Sequence, residues 1–244
     1  MILHLLPART GGAAENMAVD FLLLQRYPEA AAARFRHYGW RVPAFTFGYS
    51  QKIAFVRAQL PSTGAFDLCR RPSGGGLVDH RQDWTYTLVI PRGHPLEAER
   101  AAQSYRVVHA CLADALRAQG AAAELQSPAE SGSSSTGLGA DSPLLQGICF
   151  QRAEVHDVVN PENGEKIAGA AQKRNKRGLL FQGSVRRPAV SGSPDWDKIG
   201  DEFAARLAAA LGAAPTPAPW PDLNEEEVGG LTEKYGSPEW MEAR

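Results

Sequence analysis

Residues 69–80 read CRRPSGGGLVDH, in which two arginines, a proline and a serine lead into three consecutive glycines. Gly74, Gly75 and Gly76 have no Cβ, so they reach positive φ without steric cost and let backbone N–H groups converge on an oxygen or an anion. Arg70 and Arg71 add fixed cationic forks, and Ser73 a hydroxyl. Two readings of the run stand side by side. It is a glycine-rich hairpin turn joining the apolar stretches at 66–68 and 85–90, or a loop whose backbone closes on a ligand. A dinucleotide fingerprint is excluded, because the glycines lack the G-x-G-x-x-G spacing and do not open a helix.

On either side of this loop, short strands and helices are mixed. Upstream, 2–6 reads as a strand, 13–27 as a helix with Met17, Phe21 and Leu24 on one face, and 33–38 and 44–47 as strands. Downstream, 66–70 and 85–90 are the strands bracketing the glycines, and 96–119 carries Tyr105, Val108, Leu112 and Leu116 at helical spacing before Gly120 stops it. Strands are expected at 122–125, 154–159, 166–171 and 179–185, with a turn at 160–164. A last long helix takes Ser193 as cap and Pro194 in its first turn, and aligns Trp196, Ile199, Phe203, Leu207 and Leu211. Strands joined by short turns, without a regular βαβ rhythm, predict an α+β fold, a mixed and largely antiparallel sheet flanked by helices. Residues 1–212 make up the main domain. Residues 213–244 are expected to be a linker, APTPAPWPDL, and a short C-terminal helical extension around 224–234 whose tail frays or packs back. The serine- and glycine-rich stretch 127–143 reads as a gating lid or as a plain insertion.

A chain of 244 residues with 43% hydrophobic content has enough apolar surface for a packed core. Its net charge of -1 argues against a polyanion partner, so no nucleic acid is expected; the local cluster KRNKR at 173–177 is a solvated turn or a docking patch. Cys69, Cys111 and Cys149 leave one cysteine unpaired and show no metal-ligand spacing, which fits a reducing cytoplasm and no metal. The opening MILHLLPART lacks a basic leader, and no run of about 18 apolar residues is present to cross a membrane.

Several motifs together carry a resemblance. WRVPAFTFGYSQ, then RRPSGGGLVDH, DWTYTLVIP, GEKIAGAAQ and GLLFQGS, in that order from about 40 to 184, resemble the biotin/lipoate protein ligase superfamily. The similarity is to the branch holding lipoate-protein ligases and octanoyl-[acyl-carrier-protein]:protein octanoyltransferases. It implies the α+β catalytic fold of that superfamily, catalytic roles for Cys149 and Lys166, and substrate-binding roles for Arg70, Arg71, Ser73, Gly74, Gly75, Gly76, His80, Gly169, Ala170 and Ala171. The turn at 48–51 is then expected to border the acyl pocket, with Trp40 beside it or buried as a structural aromatic.

Read from its neighbours alone, Lys166 is a solvated strand residue, and Cys149, in ICF, a packed thiol. By resemblance, Lys166 is the lysine of the family's KxxGxA motif, against the acyl carbonyl, where an ammonium stabilises an oxyanion. Small residues at 169–171 leave room for the acyl chain. Cys149 is by the same resemblance the nucleophile of the octanoyltransferases. It takes an octanoyl group from acyl carrier protein and passes it to a lysine of a lipoyl domain or the glycine-cleavage H protein, without a cofactor. The alternative is a lipoate-protein ligase that uses ATP and Mg to make an acyl-adenylate held by Arg71, the glycine loop and Lys166. Little room for an accessory domain follows the last motif, which weighs against it. A non-catalytic acyl-binding relative is the third reading. His80 is a general base or a positioning group. Asp79 before it and Arg81 after it depart from the family pattern, so a nucleotide or metal contact from an aspartate after the histidine does not carry over.

Overall fold

The computed structural model describes residues 1–128 and 153–243. Cys149 and most of the 127–143 stretch fall outside the described residues. In chain order the elements are β1 (Ile2–Leu5), β2 (Arg9–Gly11), α1 (Ala13–Gln25), β3 (Ala33–Trp40), β4 (Ala44–Phe47), α2 (Ile53–Arg57), β5 (Asp67–Arg70) and β6 (Val78–Asp79). There follow β7 (Asp83–Pro91), α3 (Pro95–Ala98), α4 (Ala101–Ala118), β8 (Glu124–Leu125), β9 (Val158–Val159), β10 (Lys166–Asn175) and β11 (Gly178–Arg186). A 3₁₀ turn (Arg187–Ala189), α5 (Trp196–Ala210), β12 (Ala214–Pro217), α6 (Glu225–Gly236) and α7 (Pro238–Glu242) complete the described chain.

The large sheet runs β12-β1-β3-β7-β11-β10-β9-β8, with β2 also paired to β3. It is antiparallel from β3 to β8 and parallel where β12, β1, β2 and β3 meet, so the fold is the expected mixed, largely antiparallel α+β sheet. A small second sheet has the order β5-β4-β6. Side chains alternate along the central strands as the two-residue period requires. Trp84, Tyr86, Leu88 and Ile90 of β7, with Leu179, Phe181 and Val185 of β11, enter the core with Leu112, Leu116, Phe203 and Leu207 of α4 and α5. Val89 and Leu180 face the other way, onto Val19 and Leu23 of α1.

Four expectations change. The glycines do not cap a hairpin: they join β5 to β6, which flank β4 in the small sheet without pairing with each other, and the chain reaches β7 of the large sheet only after His80. Residues 96–119 form two helices, broken where Glu99 is extended at ψ 157. Helix α5 is capped by Asp195, whose carboxylate accepts from Asp197 N–H and Lys198 N–H, rather than by Ser193. The expected linker contributes β12 at the sheet edge, where Ala214 and Ala218 donate to the carbonyls of Met1 and Leu5. Pro215 and Pro217 fall at the alternate positions, where an edge strand needs no donor. Beyond it, Val228 of α6 packs with Leu23 and Leu24 of α1, and Leu231 and Tyr235 with Met17 and Ala18, so α1 is covered on both sides.

Candidate active site

Between the α1 face of the large sheet and the small sheet lies an open pocket with about 420 Å³ of empty space, mouth included. Met17, Tyr38 and Thr46 line it together with Arg71, Gly75, Val78, His80 and Thr85, and β10 and β11 supply Gly169, Ala170, Ala171, Gln182, Gly183 and Ser184.

The position of Lys166 depends on an irregularity in β10. Strict alternation would put Lys166 with Ala168 and Ala170, on the face opposite Gly169 and Ala171. The pairing with β9 shifts between Lys166 and Ala168, a bulge-like break, and Ile167 and Ala168 both enter the core on the α4 side. Lys166 is thereby carried over Gly169: a Cβ built on that glycine would stand 2.9 Å from Lys166 Cε and 3.0 Å from Nζ. The amine is buried and pairs with Asp157 Oδ2 at 2.7 Å. That same carboxylate oxygen accepts from Glu154 N–H at 2.8 Å, so Asp157 is anchored to its own turn. Glycine at 169 leaves free the space that the end of the lysine occupies.

The glycine loop and its arginines are arranged differently. Arg71 Nη1 donates to Thr46 Oγ1 at 2.8 Å, and Nη2 to the carbonyls of Gly74 and Gly76, each at 2.8 Å. Gly75 takes φ +91, and Gly48 of the preceding turn approaches so closely that a Cβ there would lie 1.9 Å from Gly75 O. Ser73 Oγ reaches Gln182 Oε1 at 2.5 Å, and Gln182 Nε2 donates to Asp20, which is ion-paired with Arg36 at 2.6 Å. Arg70 is absent from the pocket wall. It is fully buried and donates to the carbonyls of Tyr49, Gln51 and Met241, while Trp240 Nε1 donates to its carbonyl at 2.9 Å. Its fork ties the C-terminal helices to the 48–51 turn.

His80 stands in a closed network. Nδ1–H donates to Asp83 Oδ2 at 2.6 Å, a geometry that leaves Nε2 to accept from Thr46 Oγ1 at 2.7 Å when the ring is neutral. Asp83 Oδ2 also accepts from Thr85 and Ser184 hydroxyls, and Trp40 stacks on His80 at 4.1 Å while donating to Thr85 Oγ1. Trp40 is thus a structural aromatic behind the pocket. Burial pushes the Cys69 thiol up to about 12 and the Cys111 thiol up to about 11, which keeps both protonated near neutral pH.

Arg71, Gly75, His80 and 169–171 are therefore brought to one pocket, with the buried Lys166 amine beside Gly169, with Ser73, Gly74 and Gly76 in the glycine loop, and with Arg70 outside the pocket. Cys149 lies outside the described residues. Sequence reasoning missed Asp157, Thr46, Asp83, Gln182 and Met17. Asp157 stands just ahead of buried β9 and Asp83 opens β7, a signal for a polar group with a fixed partner; Asp83 meets His80 and Thr85 close by in sequence, whereas Asp157 meets Lys166 across the turn between β9 and β10. Among the described residues no cluster of three or more His, Cys, Asp or Glu side chains is placed to hold a metal, and no helix is long and apolar enough to cross a membrane.

The mixed sheet, glycine loop and lysine strand define the biotin/lipoate protein ligase class of catalytic domain. Residues 12–186 match the lipoyl protein ligase A/B catalytic domain, and the chain belongs to that family. It is 30% identical to the octanoyltransferase LipM of Macrococcus caseolyticus over 194 residues, 77% of this chain and 65% of that one. With the LipM of Bacillus cereus the identity is 31% over 176 residues, 70% of this chain and 60% of that one. The chain thus spans less than two thirds of these relatives, although it covers 93% of the Symbiobacterium thermophilum LipM, at 28% identity over 263 positions and 93% of this chain. In fold it is similar to the bipartite lipoate protein ligase of Thermoplasma acidophilum, with TM-score 0.69 and 18% identity over 100% of this chain and 98% of that one. A lipoate-protein ligase A bound with ATP gives TM-score 0.72 and 16% identity over 100% of both chains.

Proposed function

We propose that this chain is an acyltransferase that moves an octanoyl or lipoyl group onto a lysine of a lipoyl domain through a thioester on Cys149. The observation that carries the reading is the buried Lys166 ammonium held over Gly169, a residue that lines the pocket together with Ala170, Ala171, Gly183 and Ser184, in a chain similar to LipM octanoyltransferases. The Cys149 thiolate attacks the carbonyl carbon of an octanoyl thioester on acyl carrier protein; the new C–S bond forms as the donor thiol leaves with a proton. Lys166 stabilises the oxyanion of that step and of the next, in which the neutral ε-amine of the acceptor lysine attacks the acyl-enzyme, an amide forms, its proton is released and the Cys149 sulfur departs. Acceptors are lipoyl domains and the glycine-cleavage H protein. Neither step consumes ATP.

Incubation with octanoyl-acyl carrier protein and apo lipoyl domain, with and without ATP, followed by intact mass, tests it. The expected result is one octanoyl addition to the acceptor without ATP, and a hydroxylamine-labile octanoyl group on Cys149 in the donor-only reaction, lost in Cys149→Ala. Modification that requires ATP and free octanoate or lipoate, and persists in Cys149→Ala, replaces this reading with the ligase.

A further inference from the structure

The Lys166–Asp157 pair depends on a turn whose backbone is under local strain. His156, just before Asp157, has φ 73, the one positive φ at a non-glycine residue among the described residues. A β-carbon makes that conformation costly, so surrounding contacts must hold it. Backbone accounting shows which. His156 N–H donates to Gln126 O, Asp157 O accepts from Gln126 N–H, and Asp157 N–H donates to Glu154 O. The His156 carbonyl is taken by a side chain from α4: His109 Nδ1 lies 2.6 Å from it.

His109 is almost wholly buried, on a helix otherwise occupied with core packing. A carbonyl only accepts, so Nδ1 carries the proton and Nε2 the lone pair; Nε2 is buried and has no hydrogen-bond partner among the described residues. Such a ring is poorly explained as packing, since a Leu or Phe would fill the space without an orphaned nitrogen. We infer that His109 is a positioning residue for Lys166: by holding the His156 carbonyl it fixes the left-handed turn that aims Asp157 at the lysine amine. The charged and titratable groups facing it are Asp157, Lys166 and His156, with the Tyr105 ring 5.7 Å away on its own helix. Burial lowers the His109 pKa, more than the nearby Asp157 charge raises it, which keeps the ring in the neutral, Nδ1-protonated form the geometry needs. This inference rests on the reading of Lys166 as the oxyanion-stabilising amine.

The test uses the full chain and two independent measurements. The first is the acetylation of Lys166 by limiting acetic anhydride at pH 8, read by peptide mass spectrometry against exposed Lys176. The second is octanoyl transfer, with kcat and KM separated. In His109→Leu, Lys166 labelling should rise at least about threefold and kcat fall about tenfold with KM for the donor nearly unchanged, because a misplacement of the order of 1 Å is costly at a reacting centre. His109→Asn, whose amide N–H stands where Nδ1 stood, should recover most of both. His109→Gln, with its N–H near the Nε2 position, should behave as Leu. Unchanged labelling in Leu and Gln, or Asn no better than Gln, overturns the inference. If His109→Leu does not fold, the Asn and Gln pair decides. An inactive wild type would sink the acyltransferase reading, while the labelling still judges His109.

Discussion

The two cationic regions beside the pocket use similar residues in opposite ways. At β10, Lys166 is brought by a break in strand pairing over a bare glycine that lines the pocket, and its ammonium meets the Asp157 carboxylate. At the glycine loop, Arg70 turns away from the pocket onto the carbonyls of Tyr49, Gln51 and Met241, while Arg71, itself in the pocket lining, holds the carbonyls of Gly74 and Gly76. The first arrangement sets a buried charge beside a lining glycine. The second uses charge as a strut, because guanidinium has several fixed donors and can satisfy carbonyls that a tight, glycine-rich loop leaves without strand partners. Anion-binding composition is thus not an anion-binding site until the direction of its donors is known.

Breaking the first region should have the largest effect. Lys166→Ala is expected to lower the transfer rate of the folded protein by at least about a hundredfold, the usual order for loss of an oxyanion-stabilising donor, and also to lower stability, because Asp157 loses its buried partner. A single-turnover assay with octanoyl-acyl carrier protein measures it, and near-normal turnover would reduce the lysine to a strand residue. Gly169→Ala should come next. Its methyl would stand 2.9 Å from Lys166 Cε, so the amine must shift, and a loss of about tenfold in kcat is expected from misplacement alone. Rates equal to wild type would mean the amine moves aside at no cost.

The second region should respond in stability rather than chemistry. Arg70→Ala leaves three backbone carbonyls without their donor and should cost about 3 kcal/mol in urea unfolding, with kcat of the surviving folded fraction within about threefold. A selective loss of kcat without loss of stability would return Arg70 to the active site and erase the contrast.

The smallest effect concerns the packed thiols. At pH 7.5, folded protein should leave Cys69 and Cys111 unlabelled by iodoacetamide, and Cys69→Ala with Cys111→Ala should keep acyl transfer. The folded thiols are raised from the ordinary 9.0 to about 12 and about 11, so the unfolded chain ionises first as pH rises. Their contribution to stability is complete below about pH 9 and is lost as pH climbs toward those folded values. Urea midpoints measured between pH 8 and 10.5 should therefore fall, and fall less in the double variant.

The fold class, the order of most strands and helices, and the set of motifs that meet are all legible in the chain. Alternation along 85–90 and 179–185 and helical spacing along 96–119 are local signals, and β7, β11 and α4 follow them closely. The same local signals fail where pairing is non-local. Nothing in CRRPSGGGLVDH says that β5 and β7 belong to different sheets, that Arg70 reaches a carbonyl 171 residues away, or that prolines at 215 and 217 suit a sheet edge. Strand alternation assigns Lys166 to the wrong face, because one shift in register between β9 and β10 reverses it. Which residues are candidates for chemistry is legible in their types and spacing; which way their donors point is settled by tertiary structure, since a hydrogen bond is fixed by the position of its acceptor, and Asp157, Thr46 and Met241 are placed by the rest of the fold.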